Sequence, residues 1–332
     1  MVNERTLFNI LWNSLEVSAT GNIIAAFYGL PDEGKGKLEI IAADLYELDD
    51  NLTNEWSVTV VSRDFCNPRR ERSYPSEEER VERRFRAFLK DPASIDQDKY
   101  KFKRVLQFVV EGDDAVSRVL RLAGDIRERR GDTLQGKFGH YEIASDGKIT
   151  GIRFPIYVPS SVEQAEEQID LFWNKYKNLG GPNPRVLRKC PSYGQTVVLI
   201  KPHAFHAYEY DTRWGDIIDR FSRAHGVIIG AKVLKFTRDQ LDVFYSTKVG
   251  ESWYEPEFVP EMTGGTTLAL LYEGPHIQQG IRNALLEVVR PAFGDRYDPS
   301  KTAAHASDPT ETNCVEREKF AVNFEDNILP SK

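Results

Sequence analysis

Cysteine is scarce in this sequence: 332 residues contain three, Cys66, Cys190 and Cys314. They lie far apart and without metal-type spacing, which excludes a disulfide framework and a zinc-finger pattern and leaves ordinary free thiols. Free thiols point to a reducing compartment and a cytoplasmic protein. A long apolar run is also lacking, since no stretch approaches the roughly 18 residues of a membrane span. The opening MVNERTLFNILWNSLEV has no basic stretch followed by a long apolar core, so neither a leader nor a membrane partner is expected. Positive charge is not in excess either: 44 Lys and Arg stand against 51 Asp and Glu, a net charge of -7. That balance argues against a general nucleic-acid binder, which needs a basic surface to release counterions. Any phosphate chemistry must then rest on local cations. What is present is 40% hydrophobic and 11% aromatic residues, enough for a packed core and unlike disordered, collagenous or coiled-coil chains. At roughly 100 to 200 residues per domain, the length fits two domains and prompts a search for a duplication.

The most polar interior stretch, between Arg63 and Lys103, contains NPRRERSYPSEEERVERRFRAFLKD. Its interleaved acids and bases read as a solvated loop leading into a charged helix. A second break, NLGGPNPRVLRKCPSYGQ from Asn178 to Gln195, is rich in Gly and Pro, as interdomain connections are. The expected division is a domain at 1–178, a linker at 179–194 and a domain at 195–332. After the break, TVVLIKP reads as a buried strand. A helix is expected from about Asp211 to Ala224, because Trp214, Ile217, Ile218 and Phe221 recur three to four apart and Gly226 stops it. VIIGAKVLKF is strand-like, DQLDVFYS helical, TTLALLYEG strand-like and HIQQGIRNALLEVV helical. This alternation predicts an α/β sandwich with helices covering a sheet.

Several spaced elements of the C-terminal half carry a resemblance. In order they are IKP at Ile200–Pro202, GDIIDRF at Gly215–Phe221, Phe244 with Tyr245, YEG at Tyr272–Gly274, Arg282, RPAFG at Arg290–Gly294, and AAHASD followed by VEREKF. Together they resemble the nucleoside diphosphate kinases, with HASD the most specific element. The resemblance implies ferredoxin-like βαββαβ sandwiches with antiparallel sheets, an α+β arrangement. It also implies transfer of the γ-phosphate of a nucleoside triphosphate to a nucleoside diphosphate in a ping-pong cycle through a phosphohistidine.

By that resemblance His305 is the nucleophile and Glu318 the acceptor holding its second ring nitrogen. Glu316 competes for that role because two extra residues and Pro309 separate HASD from VEREKF; the ungapped match of VEREKF favours Glu318. Lys201, Arg282 and Arg290 would stabilise the spread charge of the transferring phosphoryl group. Tyr245 matches a tyrosine near the phosphates, and Trp253 or Tyr254 the aromatic on which the base stacks. Ser307 would help hold the glutamate. Magnesium would arrive with the nucleotide, and no protein metal site is expected. Thr302 stands where the family carries an Asn, which alters the ribose contact, and the Arg282–Arg290 segment is shortened, which implies an altered assembly and a more open base pocket.

The N-terminal half resembles the same scaffold without its chemistry. ERTLFNI stands where TVVLIKP stands, FVVEG where LLYEG stands, TLQGKFG resembles the family's Thr-Ile-Arg-Gly-x-Phe-Gly, and SVEQAEEQIDLFW resembles the helix after the catalytic loop. On those anchors the Lys position is Leu11, the two Arg positions Leu120 and Gln135, and the nucleophile position Tyr157. The expectation is a pseudo-domain serving as a tethered partner, an intrachain pseudo-dimer, in a chain that also forms homo-oligomers. A different reading of the same pocket is a nucleotide-binding regulator or scaffold without turnover; retention of His305 beside Lys201, Arg282 and Arg290 argues for the enzyme.

Overall fold

The computed structural model describes residues 3–16, 19–29, 38–60, 85–90, 103–124, 131–143, 145, 149–182, 193–206, 214–224, 226–293 and 302–330. Most of the charged stretch between Arg63 and Lys103, most of the expected linker, and Cys66 and Cys190 lie outside the described residues.

Two four-stranded sheets account for the core. The first is built from β1 (Asn3–Ile10), β2 (Glu39–Leu48), β3 (Lys103–Asp113) and β6 (Ile156–Tyr157), with a separate hairpin of β4 (His140–Ile143) and β5 (Ile149–Arg153) between the last two. The second is built from β7 (Tyr193–Ile200), β8 (Val227–Leu234), β9 (Thr267–Pro275) and β10 (Ala304–Ala306). The spatial orders are β2-β3-β1-β6 and β8-β9-β7-β10, so each sheet runs second, third, first, fourth strand of its half, the ferredoxin-like order. The central strands read as near-continuous apolar runs because both faces are covered: eight of the nine residues of β9 are buried.

The two sheets agree in register as well as order. Ile10 of β1 faces Ile156 of β6, and Ile200 of β7 faces Ala304 of β10, all antiparallel. One residue on, the Leu11 N–H donates to Pro155 O and the Lys201 N–H to Ala303 O, each at 3.0 Å. After β3 and β9 the chain turns through a left-handed residue, Asp114 (φ 50°) and His276 (φ 52°), into the helices Ala115–Ala123 and Ile277–Ala284. Helix starts obey local chemistry: Asp49 caps Asp50–Thr59, Ser161 caps Val162–Asp170, and Thr237 with Gln240 forms a capping box on Arg238–Phe244.

The chain divides into two compact units, Met1–Asn13 with Pro31–Glu39 and Tyr46–Leu179, and Ser14–Leu30 with Ile40–Leu45 and Gly180–Lys332. Two N-terminal segments thus belong to the second unit, which a division along the sequence does not contain. One of them carries the helix Thr20–Gly29, whose GNIIAAF matches GDIIDRF of the helix Trp214–Ser222. Those two helices pack together, and Asn22 Nδ2 donates to Asp219 Oδ1 at 2.9 Å.

The other segment contributes Asp44, buried at 2% exposure. Its Oδ1 accepts from the N–H of Leu45 and of Gly181, each at 2.8 Å. Gly181 reaches it with φ +95°, a conformation that favours glycine. Burial pushes the Asp44 carboxyl from 3.8 up to about 7, against the opposing pull of these bonds, Asn327 and Lys232. Because the folded-state value lies above the unfolded one, the folded chain binds the extra proton between about pH 4 and 7, and stability falls as pH rises through that window. Asp44→Asn keeps an acceptor oxygen and removes the titration. Urea unfolding should therefore find it more stable than wild type at pH 8, by roughly 2–4 kcal/mol at most, and equal at pH 4. A wild-type stability that is level from pH 4 to 8 contradicts this.

Candidate functional site

The second sheet places His305 in the middle of β10, opposite Leu199 of β7. Its imidazole is walled by the edges of Phe244 and Tyr245, with ring centroids 5.0 and 5.2 Å away. Nε2 lies 2.7 Å from Glu318 Oε1. Glu318, on the helix Cys314–Val322, is almost fully buried, so the bond is made away from water and fixes the tautomer with the proton on Nε2. The Nδ1 lone pair is then the nucleophilic one. Ser307 Oγ donates to the other carboxylate oxygen at 2.5 Å and also accepts from Val197 N–H at 2.9 Å, tying Glu318 to β7. Of the two acids that the spacing leaves in competition, Glu318 meets His305, while Glu316 is exposed and pairs with Lys319.

Around this pair stand the cations. Lys201, the first residue past β7, is buried, with Nζ 2.8 Å from Thr302 Oγ1 and 4.8 Å from the Phe258 ring centroid. Arg282 donates to Ala306 O at 3.2 Å and to Asp308 Oδ2 at 3.1 Å, anchoring its guanidinium to the strand that carries His305. Arg290 keeps a buried Nε with no hydrogen-bond partner. Burial and then the Arg282 charge hold its pKa below the ordinary value, while Tyr245 opposes them. Tyr245 likewise has a buried hydroxyl without a partner, and burial, then Glu318 and Glu261, raise its pKa. A half-buried guanidinium with an unsatisfied Nε and a neutral phenol with an unsatisfied hydroxyl, close enough to influence one another, form a place where an anion would recover the missing bonds.

The geometry sorts the remaining expected residues. Thr302 is bonded to Lys201 and serves the cation. Tyr254 is fully buried in the cluster of Leu241, Phe244 and Phe258, and its hydroxyl donates to Asp242 Oδ1 at 2.8 Å. A wide π-helical turn, Tyr254–Phe258, holds it inward. Trp253 is only partly buried against the same cluster. Three residues join the site without having been singled out for it: Asp308 holds Arg282, Phe258 lies under Lys201, and Cys314 Sγ donates to Glu318 Oε1 at 3.2 Å. The spacing of Cys314 and Glu318, one helical turn apart, was the available signal for the last.

The matching positions of the first sheet are filled differently. Leu11 is fully buried and Leu120 partly exposed. Gln135 donates to Ile156 O at 2.9 Å. Tyr157 sits opposite Asn9 as His305 sits opposite Leu199, and its hydroxyl accepts from Gln168 Nε2 at 2.9 Å. Phe85 stacks flat on it at 4.4 Å, and Trp56 meets it edge-on at 5.5 Å. Here the strand geometry persists without a cation at either of the first two positions.

Residues 194–329 match the family model of nucleoside diphosphate kinase. A nucleoside diphosphate kinase of Kosmotoga olearia is 29% identical over 136 residues, 41% of this chain and 76% of that protein. One of Fervidobacterium nodosum is 32% identical over 110 residues, 33% of this chain and 65% of that protein. Among solved structures, the Aquifex aeolicus nucleoside diphosphate kinase in an orthorhombic crystal form is 25% identical with a TM-score of 0.34, over 39% of this chain and 94% of that one. The halophilic nucleoside diphosphate kinase of Halobacterium salinarum, solved in complex with CDP, is 21% identical with a TM-score of 0.35, over 42% of this chain and 92% of that one. Residues 194–329, the C-terminal region of this chain, are thus similar to nucleoside diphosphate kinases.

Proposed function

We propose that the chain is a phosphotransferase that moves the γ-phosphate of a magnesium-bound nucleoside triphosphate to a nucleoside diphosphate or a related modified nucleotide through phospho-His305. The observation that carries this reading is the His305–Glu318 pair, Nε2 to Oε1 at 2.7 Å, beside the unsatisfied Arg290 Nε and Tyr245 hydroxyl. In the first half-reaction the Nδ1 lone pair bonds to the γ-phosphorus as the bond to the β–γ bridging oxygen breaks, and the nucleoside diphosphate departs with that oxygen. The imidazole, now phosphorylated on Nδ1 and protonated on Nε2, is cationic, and the buried Glu318 carboxylate stabilises it. Lys201, Arg282 and Arg290 meet charge on the phosphoryl oxygens, with Arg forks suited to two oxygens and Lys to one. The second half-reaction reverses these steps with a different diphosphate.

One such site per chain is proposed, with the N-terminal sheet as a pseudo-domain, because Leu11, Leu120 and Gln135 supply no cation and the Tyr157 phenol is a poor nucleophile at neutral pH. Incubation of the full chain with radiolabelled ATP and magnesium should give an acid-labile, base-stable protein label that an added nucleoside diphosphate removes as labelled triphosphate. Wild-type protein that takes up no label refutes the reading.

A further inference from the structure

We propose that Cys314 is a positioning residue of this site: its thiol, bonded to Glu318, holds the carboxylate in the orientation that fixes His305. The inference rests on the reading of His305 as nucleophile. Glu318 offers two oxygens. Ser307 Oγ occupies Oε2, while Oε1 is shared by His305 Nε2 and Cys314 Sγ at 2.7 and 3.2 Å. With only the histidine and the serine, the carboxylate could still rotate about the line between them; a third donor from its own helix removes that freedom.

The thiol is suited to donating. Burial, then the Glu318 charge, pushes its pKa up to about 12, so it keeps its proton at neutral pH. Arg317 Nη2 approaches the sulfur at 3.6 Å, where a guanidinium donor occupies the sulfur lone pairs and leaves the S–H for Glu318. Arg317 also donates to Phe244 O at 3.2 Å and pairs with Glu311. The group that orients the thiol is therefore anchored to the helix whose Phe244 walls the imidazole. A donor on Oε1 also draws charge from the imidazole partner, so its loss strengthens Glu318 as a counter-ion and raises the proton affinity of the ring. The groups facing His305 are Glu318 and Cys314 from the helix Cys314–Val322, Asp308 from the loop after β10, and Tyr245 with Phe244 from the end of the helix Arg238–Phe244.

The test uses the full chain as wild type, Cys314→Ser, Cys314→Ala and Cys314→Val, each checked by thermal unfolding. The His305 ring nitrogens are titrated by nitrogen NMR, their signals assigned by loss in His305→Gln. Removal of the donor should raise the His305 titration midpoint by roughly 0.5 unit and slow phosphoenzyme formation about fivefold at unchanged nucleotide KM. Serine, which retains a donor, should restore both. Valine keeps the volume without the donor and stands in should the alanine variant not fold. An unchanged midpoint in folded Cys314→Ala or Cys314→Val, or a serine variant no closer to wild type than they are, overturns the positioning role alone. Wild-type protein that takes up no phosphate overturns the functional reading, and the phosphoryl-transfer role with it.

Discussion

A His305→Ala chain is expected to take up label from ATP at least about a thousandfold more slowly than wild type, while still binding the nucleotide. Alanine removes the one group among the described residues of the pocket that combines a lone pair aimed from β10 with a buried carboxylate to stabilise the charge formed on attack. Tyr245 is nearby, but burial raises its pKa and keeps it a neutral phenol, a poor nucleophile at pH 7. Tyr157 holds the matching strand position of the first sheet and is no substitute. A phenol titrates near 10, its hydroxyl is engaged by Gln168, and Phe85 covers its ring at 4.4 Å. Lys201, Arg282 and Arg290 are untouched by the change, so nucleotide affinity should stay within about threefold of wild type, since a lost imidazole contact removes at most one hydrogen bond. Residual labelling of more than a few per cent would mean that another side chain accepts the phosphate and that the role assigned to His305 is wrong.

The parts of this site that were legible in the sequence are those whose chemistry is tied to a strand end or a fixed helical spacing. Lys201 follows an apolar β-branched run, so its place at the end of β7 follows from the pattern, and His305 sits in a motif short enough to leave one geometry. Leu11 and Tyr157 could be registered because ERTLFNI and TVVLIKP share a period, and the paired bonds Leu11 to Pro155 and Lys201 to Ala303 are the physical form of that match. Tyr254 was not legible. Adjacent aromatics at 253 and 254 differ by about 100° around a helix, and only the wide turn Tyr254–Phe258 determines which faces inward. Asp44 was hidden for a different reason. As one of three acids in EIIAADLYEL it looks like part of the polar face of a strand, and its buried place depends on Gly181 and Asn327, far along the chain. The allegiance of Thr20–Gly29 to the second unit had a signal in GNIIAAF and GDIIDRF, but the likeness identifies related helices and says nothing of whether they touch.

That contact carries the other large expectation. Gly21 and Gly215 occupy the same position in the two matching heptapeptides, and each abuts the backbone of the opposite helix. A Cβ on Gly21 would lie 2.2 Å from Asp219 N and 2.6 Å from Gly215 O; one on Gly215 would lie 2.2 Å from Ala25 N and 2.6 Å from Ala25 Cα. The obstacles are main chain, which cannot swing aside, so even alanine requires the helices to separate. Separation would uncover a face that includes the buried Asp219, whose Oδ1 accepts from Asn22. Overpacking of a close-packed contact commonly costs about 1–3 kcal/mol, and with backbone on both sides the upper end is expected for Gly21→Ala and for Gly215→Ala, with valine worse. Gly264, at the end of the helix Val259–Gly264, has nothing within 4 Å of a built Cβ; Gly264→Ala is the control and should be neutral or slightly stabilising. Urea unfolding measures all three. The same contact bears on truncation: residues 180–332 produced alone lack Thr20–Gly29, the helix packed on Trp214–Ser222, and should be poorly soluble or self-associating. A truncated chain that is monomeric, fully active and as stable as the whole, together with Gly21→Ala and Gly215→Ala variants as stable as Gly264→Ala, would show that this helix pair supports nothing.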